Sequence, residues 1–328
     1  MTERVLVTGA NSLLGVNAIH ELLAAGYAVR GLLRKKALFV GMQHPALELV
    51  EGDFTAPTTL RNAMDGCRYV VHCAAKTAQH GPYNSFRWVN VTATEQLIRN
   101  AIEHKIERIV HVGSANIFAY GDAERPGDET RPICAPFTAS AYAKSKSEAQ
   151  QRINTYLSQI EIVTACPTFM VGAYDSRPSS GRIVLTGYGK RLLFYPPGGK
   201  NFVHVADVAR GIVAALRYGK NEECYLLANE NLSYRDFFRM VAARSSRRTR
   251  MVRLPRWLLL TVGALGDCAA WLGFRSEIST ANMRILCVKN YYSNAKSINE
   301  LGMSYVPVGQ AVDDAVGWFR FRKLLPDK

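Results

Sequence analysis

Arg4-Val-Leu-Val-Thr-Gly-Ala-Asn-Ser-Leu-Leu-Gly15 is the stretch that decides the fold. Val5, Leu6 and Val7 form a short apolar run, as expected of a parallel strand covered on both faces. Gly9 breaks that run. Leu13, Leu14, Val16, Ile19, Leu22 and Leu23 then recur at helical spacing, and the helix is expected to stop near Gly26. A loop that delivers a strand into a helix N-terminus presents unpaired N–H groups and the positive end of the helix dipole. Such a loop is an anion site, most often for a dinucleotide pyrophosphate. The complete signature has three glycines at three-residue spacing; here Gly9 and Gly15 supply the outer two and Ser12 stands in the middle.

Outward from this unit, strand patterns recur at residues 27–36, 47–54, 69–75, 106–113 and 160–165, the last ended by Pro167. Helical patterns lie between most of them, including a long one over 82–104 and one opening at Ala141 and reaching about Leu157. This alternation predicts an α/β chain: a Rossmann-type, doubly wound parallel sheet with a smaller C-terminal α/β substrate lobe. Residues 1–170 are expected to form the dinucleotide-binding part, with a return segment over about 201–230, and residues 171–328 mainly the substrate-binding lobe. Residues 172–200, with many Gly, Pro and Ser, predict a mobile substrate region. Residues 201–207 predict a strand running into a helix capped by Asp207.

Composition bounds the function. A chain of 328 residues, 48% hydrophobic, builds a sizeable core. The seven cysteines show no Cys-x-x-Cys pair, and Cys73 and Cys166 fall in or beside core strands, so reduced thiols are expected and no metal site. Met1-Thr-Glu-Arg4 leads straight into a strand, so a cytoplasmic protein is expected. The formal net charge of +14 favours an anionic partner, such as a phosphorylated cofactor or a membrane surface. No nucleic-acid-binding signature accompanies it.

The ends of the strands carry the specific signals. Arg34, Lys35 and Lys36 close the second strand pattern, where an acidic residue would read the 2′-hydroxyl of NAD and a basic one the 2′-phosphate of NADP. NADP is therefore expected, with NAD as the alternative. Asp53 either accepts from the adenine amino group or caps the helix starting near Pro57. His72, inside an apolar run, reads as a core histidine. Tyr142 and Lys146 are four residues apart and share a helix face. A tyrosine is a weak acid or base at neutral pH, and an ammonium one turn away stabilises its phenolate. Ser114 follows the fifth strand, at the sheet edge where ligands bind, and suits a hydrogen bond to a substrate oxygen. The set predicts carbonyl reduction or alcohol oxidation with a nicotinamide.

These residues resemble the short-chain dehydrogenase/reductase superfamily in its extended branch. The resemblance extends to Gly52-Asp53-Phe54, His72-Cys-Ala-Ala75, Asn90-Val91-x-x-Thr94, Pro167-Thr168-x-x-Val171-Gly172 and Phe202-Val-His-Val-x-Asp-Val-Ala209. It implies Tyr142 as general acid/base, Lys146 on the nicotinamide ribose and lowering the tyrosine pKa, and Ser114 polarising the carbonyl. It implies a cofactor lined by Gly9, Asn11, Ser12, Leu13, Leu14 and Gly15 at the pyrophosphate and by Arg34 at the 2′-phosphate. Asp53 and Phe54 then flank adenine, Ala74, Ala75, Lys76 and Asn90 line the middle, and Pro167, Thr168 and Val171 the nicotinamide end. Ser12 and Ala93 depart from the usual glycines.

Within the branch the chain looks most like dihydroflavonol-reductase and 3β-hydroxysteroid-dehydrogenase-like members, and like bacterial hopanoid-associated sugar epimerases. The arginine that nucleotide-sugar epimerases place before the strand at Phe202 is replaced by Gly199-Lys200-Asn201. This argues against a bound sugar nucleotide, and the apolar, aromatic set Phe169, Met170, Tyr174, Tyr188, Leu192, Leu193, Phe194 and Tyr195 suits a bulky hydrophobic ketone or alcohol as substrate. The alternatives are an epimerase/dehydratase with retained NAD and a dinucleotide sensor without catalysis. Homodimers are common in the family it resembles. Residues 257–274 are apolar with Asp267 near the middle; a buried or substrate-facing helix is expected, and peripheral membrane contact is the alternative. The arginines between 239 and 256 are expected to be solvated, with contact to anionic lipid or an acyl-CoA phosphate as the alternative.

Overall fold

The computed structural model describes residues 2–78, 81–272 and 278–326. Its strands are β1 (Arg4–Thr8), β2 (Ala28–Leu33), β3 (Leu47–Glu51), β4 (Tyr69–His72), β5 (Arg108–Val112), β6 (Glu161–Pro167), β7 (Phe169–Val171), β8 (Leu192–Tyr195), β9 (Gly199–His204), β10 (Cys224–Leu227), β11 (Glu230–Ser233), β12 (Arg250–Arg253) and β13 (Lys289–Asn290). Seven of them form one parallel sheet in the order β10-β6-β5-β4-β1-β2-β3. The order reverses between β1 and β4, which puts a crevice beyond their C-terminal ends.

The two-residue period of β1 builds both faces of the sheet. Val5 and Val7 face a core shared with the helices Leu13–Ala24 and Val205–Tyr218, while Leu6 faces the helices Pro57–Met64 and Ala93–Glu103. Both faces being covered explains why this strand reads as a continuous apolar run. A separate core joins β7, β9 and the helices Tyr234–Ala242 and Val308–Phe321, with the rings of Phe202 and Phe237 stacked at 4.1 Å.

Several local expectations are corrected. The helical pattern over 82–104 is helical throughout but not uniform: Tyr83–Arg87 and Ala93–Glu103 are joined by a π-turn over Trp88–Thr92. Residues 172–200 hold the helix Arg182–Gly187 and strand β8, and Tyr188 and Leu193 are core. The helix at Val205 is capped by His204, whose ring accepts from the Ala206 N–H at 3.0 Å. Asp207, fully buried one turn in, instead accepts from the Val306 N–H at 3.0 Å and pairs with Arg210. The apolar stretch forms the helix Arg256–Trp271, but only Leu259, Gly263 and Gly266 are buried; its expected end, Gly273 and Phe274, lies outside the described residues.

Candidate active site

The crevice is built from the strand ends upward. Gly9 follows β1 with φ +69°, in the left-handed region that a side chain disfavours. A Cβ there would lie 2.8 Å from the Ala74 backbone nitrogen. A Cβ on Gly15 would lie 2.2 Å from the Gly9 carbonyl oxygen. Both glycines are thus required by close backbone approach, which folds the loop onto the first turn of the helix. Ser12, at the middle position, is the helix N-cap: its hydroxyl accepts from the Gly15 N–H at 3.0 Å. It therefore replaces a glycine with a residue that does a different job, closing one of the orphan donors. The amides of Leu13 and Leu14 begin the helix and have no intrahelical acceptor, while their side chains are core.

A hydrogen-bonded layer under the loop holds β1 and β4 in place. The Thr8 hydroxyl accepts from the Ala74 N–H at 3.3 Å and contacts His72 Nδ1 at 2.7 Å, and His72 Nε2 contacts the Thr94 hydroxyl at 3.1 Å. We assign the neutral ring with its proton on Nε2, since the Thr8 hydroxyl proton then serves Nδ1. Burial pushes the His72 pKa down to about 3, with the Lys146 charge adding to it, and His111 beside it is pushed down the same way. Both groups have folded pKa values below the unfolded 6.5. Their contribution to stability is complete above that pH and is lost as pH falls through the window beneath it. Two such groups predict a drop of about 2 kcal/mol between pH 7 and pH 5.5, measured by urea unfolding, and about half that in His111→Gln. A flat stability over that range contradicts neutral burial of the pair.

Tyr142 and Lys146 project from the helix Ala141–Ile153, which Ser140 caps, toward the end of β5. Lys146 is 3% exposed, and its ammonium donates to the Val112 carbonyl at 2.7 Å. Burial lowers its pKa to about 8. The Ser114 hydroxyl faces the Tyr142 phenol oxygen as a hydrogen-bond donor. Burial raises the Tyr142 pKa and the Ser114 hydrogen bond pulls it back. The ammonium of Lys146 is committed to Val112, so the expected lowering of the phenol by Lys146 is not what this arrangement displays. Ser114 also accepts from the Asn116 N–H at 3.3 Å, fixing its hydroxyl at the strand end.

The sequence model of the NAD dependent epimerase/dehydratase family matches residues 5–228. The chain belongs to that family.

It is thereby an NAD(P)-dependent enzyme of the extended short-chain dehydrogenase/reductase type, and the proteins it is similar to carry the names of reductases and dehydrogenases that act on CH–OH or ketone groups. It is 29% identical to a Synechocystis sp. protein that carries the name of a dihydroflavonol 4-reductase, over 98% of this chain and 95% of that one. It is 26% identical to sterol demethylase protein B of Methylococcus capsulatus, over 98% and 99% of the two chains. Among solved structures, that of gox2253 superimposes with a TM-score of 0.85 at 28% identity, covering 99% of this chain and all (100%) of the other.

The residues present fit a dinucleotide of this family. Gly9 and Gly15 leave a cradle that a Cβ would fill, and the amides of a helix N-terminus face it. Ala74 and Ala75, half-buried, keep the end of β4 open to a ligand. Pro167 ends β6, on the far side of β5 from β4. Asn11 is half-buried in the loop. Phe54 is half-buried with its ring 5.4 Å from that of His72. Asp53 does not cap the helix at Pro57; its Oδ1 accepts from the Thr55 N–H at 2.9 Å and hydroxyl at 2.8 Å. Arg34, Lys35 and Lys36 lie exposed just past β2.

Four of the expected cofactor residues are directed elsewhere. The Val171 side chain is fully buried in the second core. The Thr168 hydroxyl donates to Asn201 Oδ1 at 2.7 Å, joining β9. The Lys76 ammonium donates to the Ser85 hydroxyl at 2.8 Å and lies 5.0 Å from the centre of the Phe86 ring. Asn90 sits in the π-turn and spends its amide on positioning. Its Oδ1 accepts from the Lys76 N–H at 2.7 Å, and its Nδ2 donates to the Lys76 carbonyl at 3.0 Å and the Ser145 hydroxyl at 2.9 Å. It thereby ties the loop after β4 to the helix that carries Tyr142 and Lys146.

Two features escaped the sequence. Glu51 ends β3 opposite Leu33 of β2, and its carboxylate accepts from the Lys36 N–H at 2.8 Å, so an acidic group does stand beside the cations. The loop before Tyr142 pairs with the far C-terminal part: Gly121 with Tyr291 and Gly127 with Tyr292. Neither contact is between residues near in sequence, and no local pattern announces it. Burial of the apolar set beyond β6 is uneven: Tyr188 and Leu193 are core, while Leu192 and Phe194 are exposed.

Proposed function

We propose that this enzyme interconverts a bulky hydrophobic ketone and its secondary alcohol with NADP(H), using Tyr142, Ser114 and Lys146. The observation that carries the reading is the convergence of the Tyr142 phenol and the Ser114 hydroxyl, which donates toward the phenol oxygen at the end of β5, with the Lys146 ammonium buried on the Val112 carbonyl. The two hydroxyls form a pair able to hold one carbonyl oxygen, Ser114 as hydrogen-bond donor and Tyr142 as proton donor. The bound dinucleotide supplies the hydride. Lys146, one helical turn from Tyr142, stays positively charged at neutral pH, its pKa of about 8 lying above that range, and its ammonium is held on the Val112 carbonyl. Tyr142 returns to its protonated state between turnovers because burial holds its pKa high. The substrate side is taken to be largely apolar, with the half-buried Lys200 laying its ammonium 4.8 Å from the Phe169 ring centre. The names of the two relatives, one a flavonoid-type reductase and one a sterol enzyme, agree with a polycyclic substrate.

NADP is the proposed form because three exposed cations follow β2 against one carboxylate, Glu51. Arg34→Ala is expected to lower the ratio of NADP to NAD affinity by about tenfold or more, the loss of one charge-assisted hydrogen bond. Titration of both dinucleotides by fluorescence reads it, and an unchanged ratio removes Arg34 from the assignment. The reaction itself is tested by oxidation of NADPH against a panel of cyclic ketones. A second reading, an epimerase or dehydratase that keeps NAD bound, draws on Glu51 at the ribose end; tightly retained NAD and no net consumption of NADPH would favour it.

A further inference from the structure

The helix Arg256–Trp271 buries Leu259, Gly263 and Gly266 along one side. That side is closed tightly: a Cβ on Gly266 would lie 2.3 Å from the Ile278 carbonyl oxygen, and one on Gly263 2.8 Å from the Thr280 Cα. The helix therefore cannot rotate to bury its other side. At 3.6 residues per turn the opposite side carries Trp257, Thr261, Ala264, Leu265, Cys268 and Trp271. Trp257 is 67% exposed, Leu265 65% and Trp271 85%. A helix face turned to water ordinarily carries charge; this one carries none. Asp267 is off that face, where its carboxylate accepts from the Thr280 N–H at 3.1 Å, at the first residue of the helix Thr280–Leu286 that Ser279 caps. The expectation of a buried or substrate-facing helix thus gives way to an apolar outward face.

Charge flanks this face. Between Asp236 and Asp267 the chain has seven arginines and no carboxylate. Arg247, Arg248, Arg250, Arg253 and Arg256 are exposed and lead directly into the helix. Arg235, Arg239, Arg247 and Arg248 line one surface cavity of about 520 Å³. Indoles at the first and last turns, an apolar face between them and a cationic approach are the features of a helix that lies in a membrane interface. Among the described residues no helix is long and apolar enough to cross a bilayer. We propose that the outward face of this helix docks on an anionic lipid surface, with the adjoining arginines meeting the headgroups. The helix Thr280–Leu286, packed on its inner side, also packs against Phe137–Ala139, the turn leading to Tyr142. Docking would therefore bring the lipid surface beside the catalytic cleft.

The surface stands independently of the reaction proposed above, and its test needs no turnover. The full chain is sedimented with phosphatidylcholine vesicles with and without phosphatidylglycerol. Binding to the anionic vesicles, weakened by salt, with tryptophan emission shifted to the blue and quenched by brominated acyl chains, is the expected result. Trp257→Ser/Trp271→Ser is expected to weaken it by about tenfold or more while leaving NADPH affinity and thermal stability unchanged. Absence of binding to anionic vesicles overturns the proposal, as does equal binding by the double variant. A wild-type dimer that the double variant dissociates also overturns it, assigning the face to a second copy of the chain.

Discussion

Tyr142→Phe is expected to lower kcat for ketone reduction by about a thousandfold, within the range that a positioned proton donor contributes. The substitution removes one oxygen. It leaves the ring in place and takes nothing from the cradle at Gly9 and Gly15. Dinucleotide affinity should therefore stay within about threefold of wild type, which separates loss of chemistry from loss of binding. Ser114 then keeps its Asn116 N–H partner but loses the phenol. A kcat in the variant near that of wild type would mean that another group protonates the oxygen, and the assignment of the Ser114–Tyr142 pair would fall with it.

Gly15→Ala should produce the largest loss of cofactor affinity. The added methyl meets the Gly9 carbonyl oxygen at 2.2 Å and its carbon at 2.9 Å, both backbone atoms that move only if the loop opens. Forced overpacking of this kind costs about 3 kcal/mol, which should lower the melting temperature by several degrees. Because the displaced loop is also the anion cradle, the Kd for NADPH should rise by about a hundredfold. Gly26→Ala is the control. Gly26 also has a positive φ, +90°, but nothing lies within 4 Å of its missing Cβ. It should cost about 1 kcal/mol of stability and leave NADPH binding intact. Calorimetry and a binding titration on both variants separate the two effects; equal affinities in the two would place the cofactor elsewhere.

How much of this was legible beforehand follows from what is local. The β1 strand, its glycine loop and the helix after it are written in adjacent residues with distinct periods, and they fold as read. The Tyr142–Lys146 spacing is likewise local, and both residues share the face that meets β5. The π-turn at Trp88–Thr92 leaves the apolar spacing of its helix almost unchanged, so periodicity alone reads one long helix. His204 outcompetes Asp207 as a cap because Asp207 is drawn inward by the Val306 N–H and Arg210, partners that come from the fold. Glu51 reaches the end of β2 only because β3 pairs in register beside it. The helix Arg256–Trp271 shows the limit most plainly: its composition reads as core, but Gly263 and Gly266 choose the inner side and leave the indoles outside.

The proposed chemistry is direct hydride exchange between a bound dinucleotide and a substrate carbon facing Tyr142 and Ser114. Turnover of a bulky cyclic ketone with NADPH deuterated at the transferable position, followed by mass spectrometry of the product, tests this most directly. Direct transfer gives an alcohol carrying one deuterium on the carbinol carbon in wild type, and its loss in Tyr142→Phe. A product without deuterium, or a substrate epimerised with no consumption of the labelled cofactor, would contradict it.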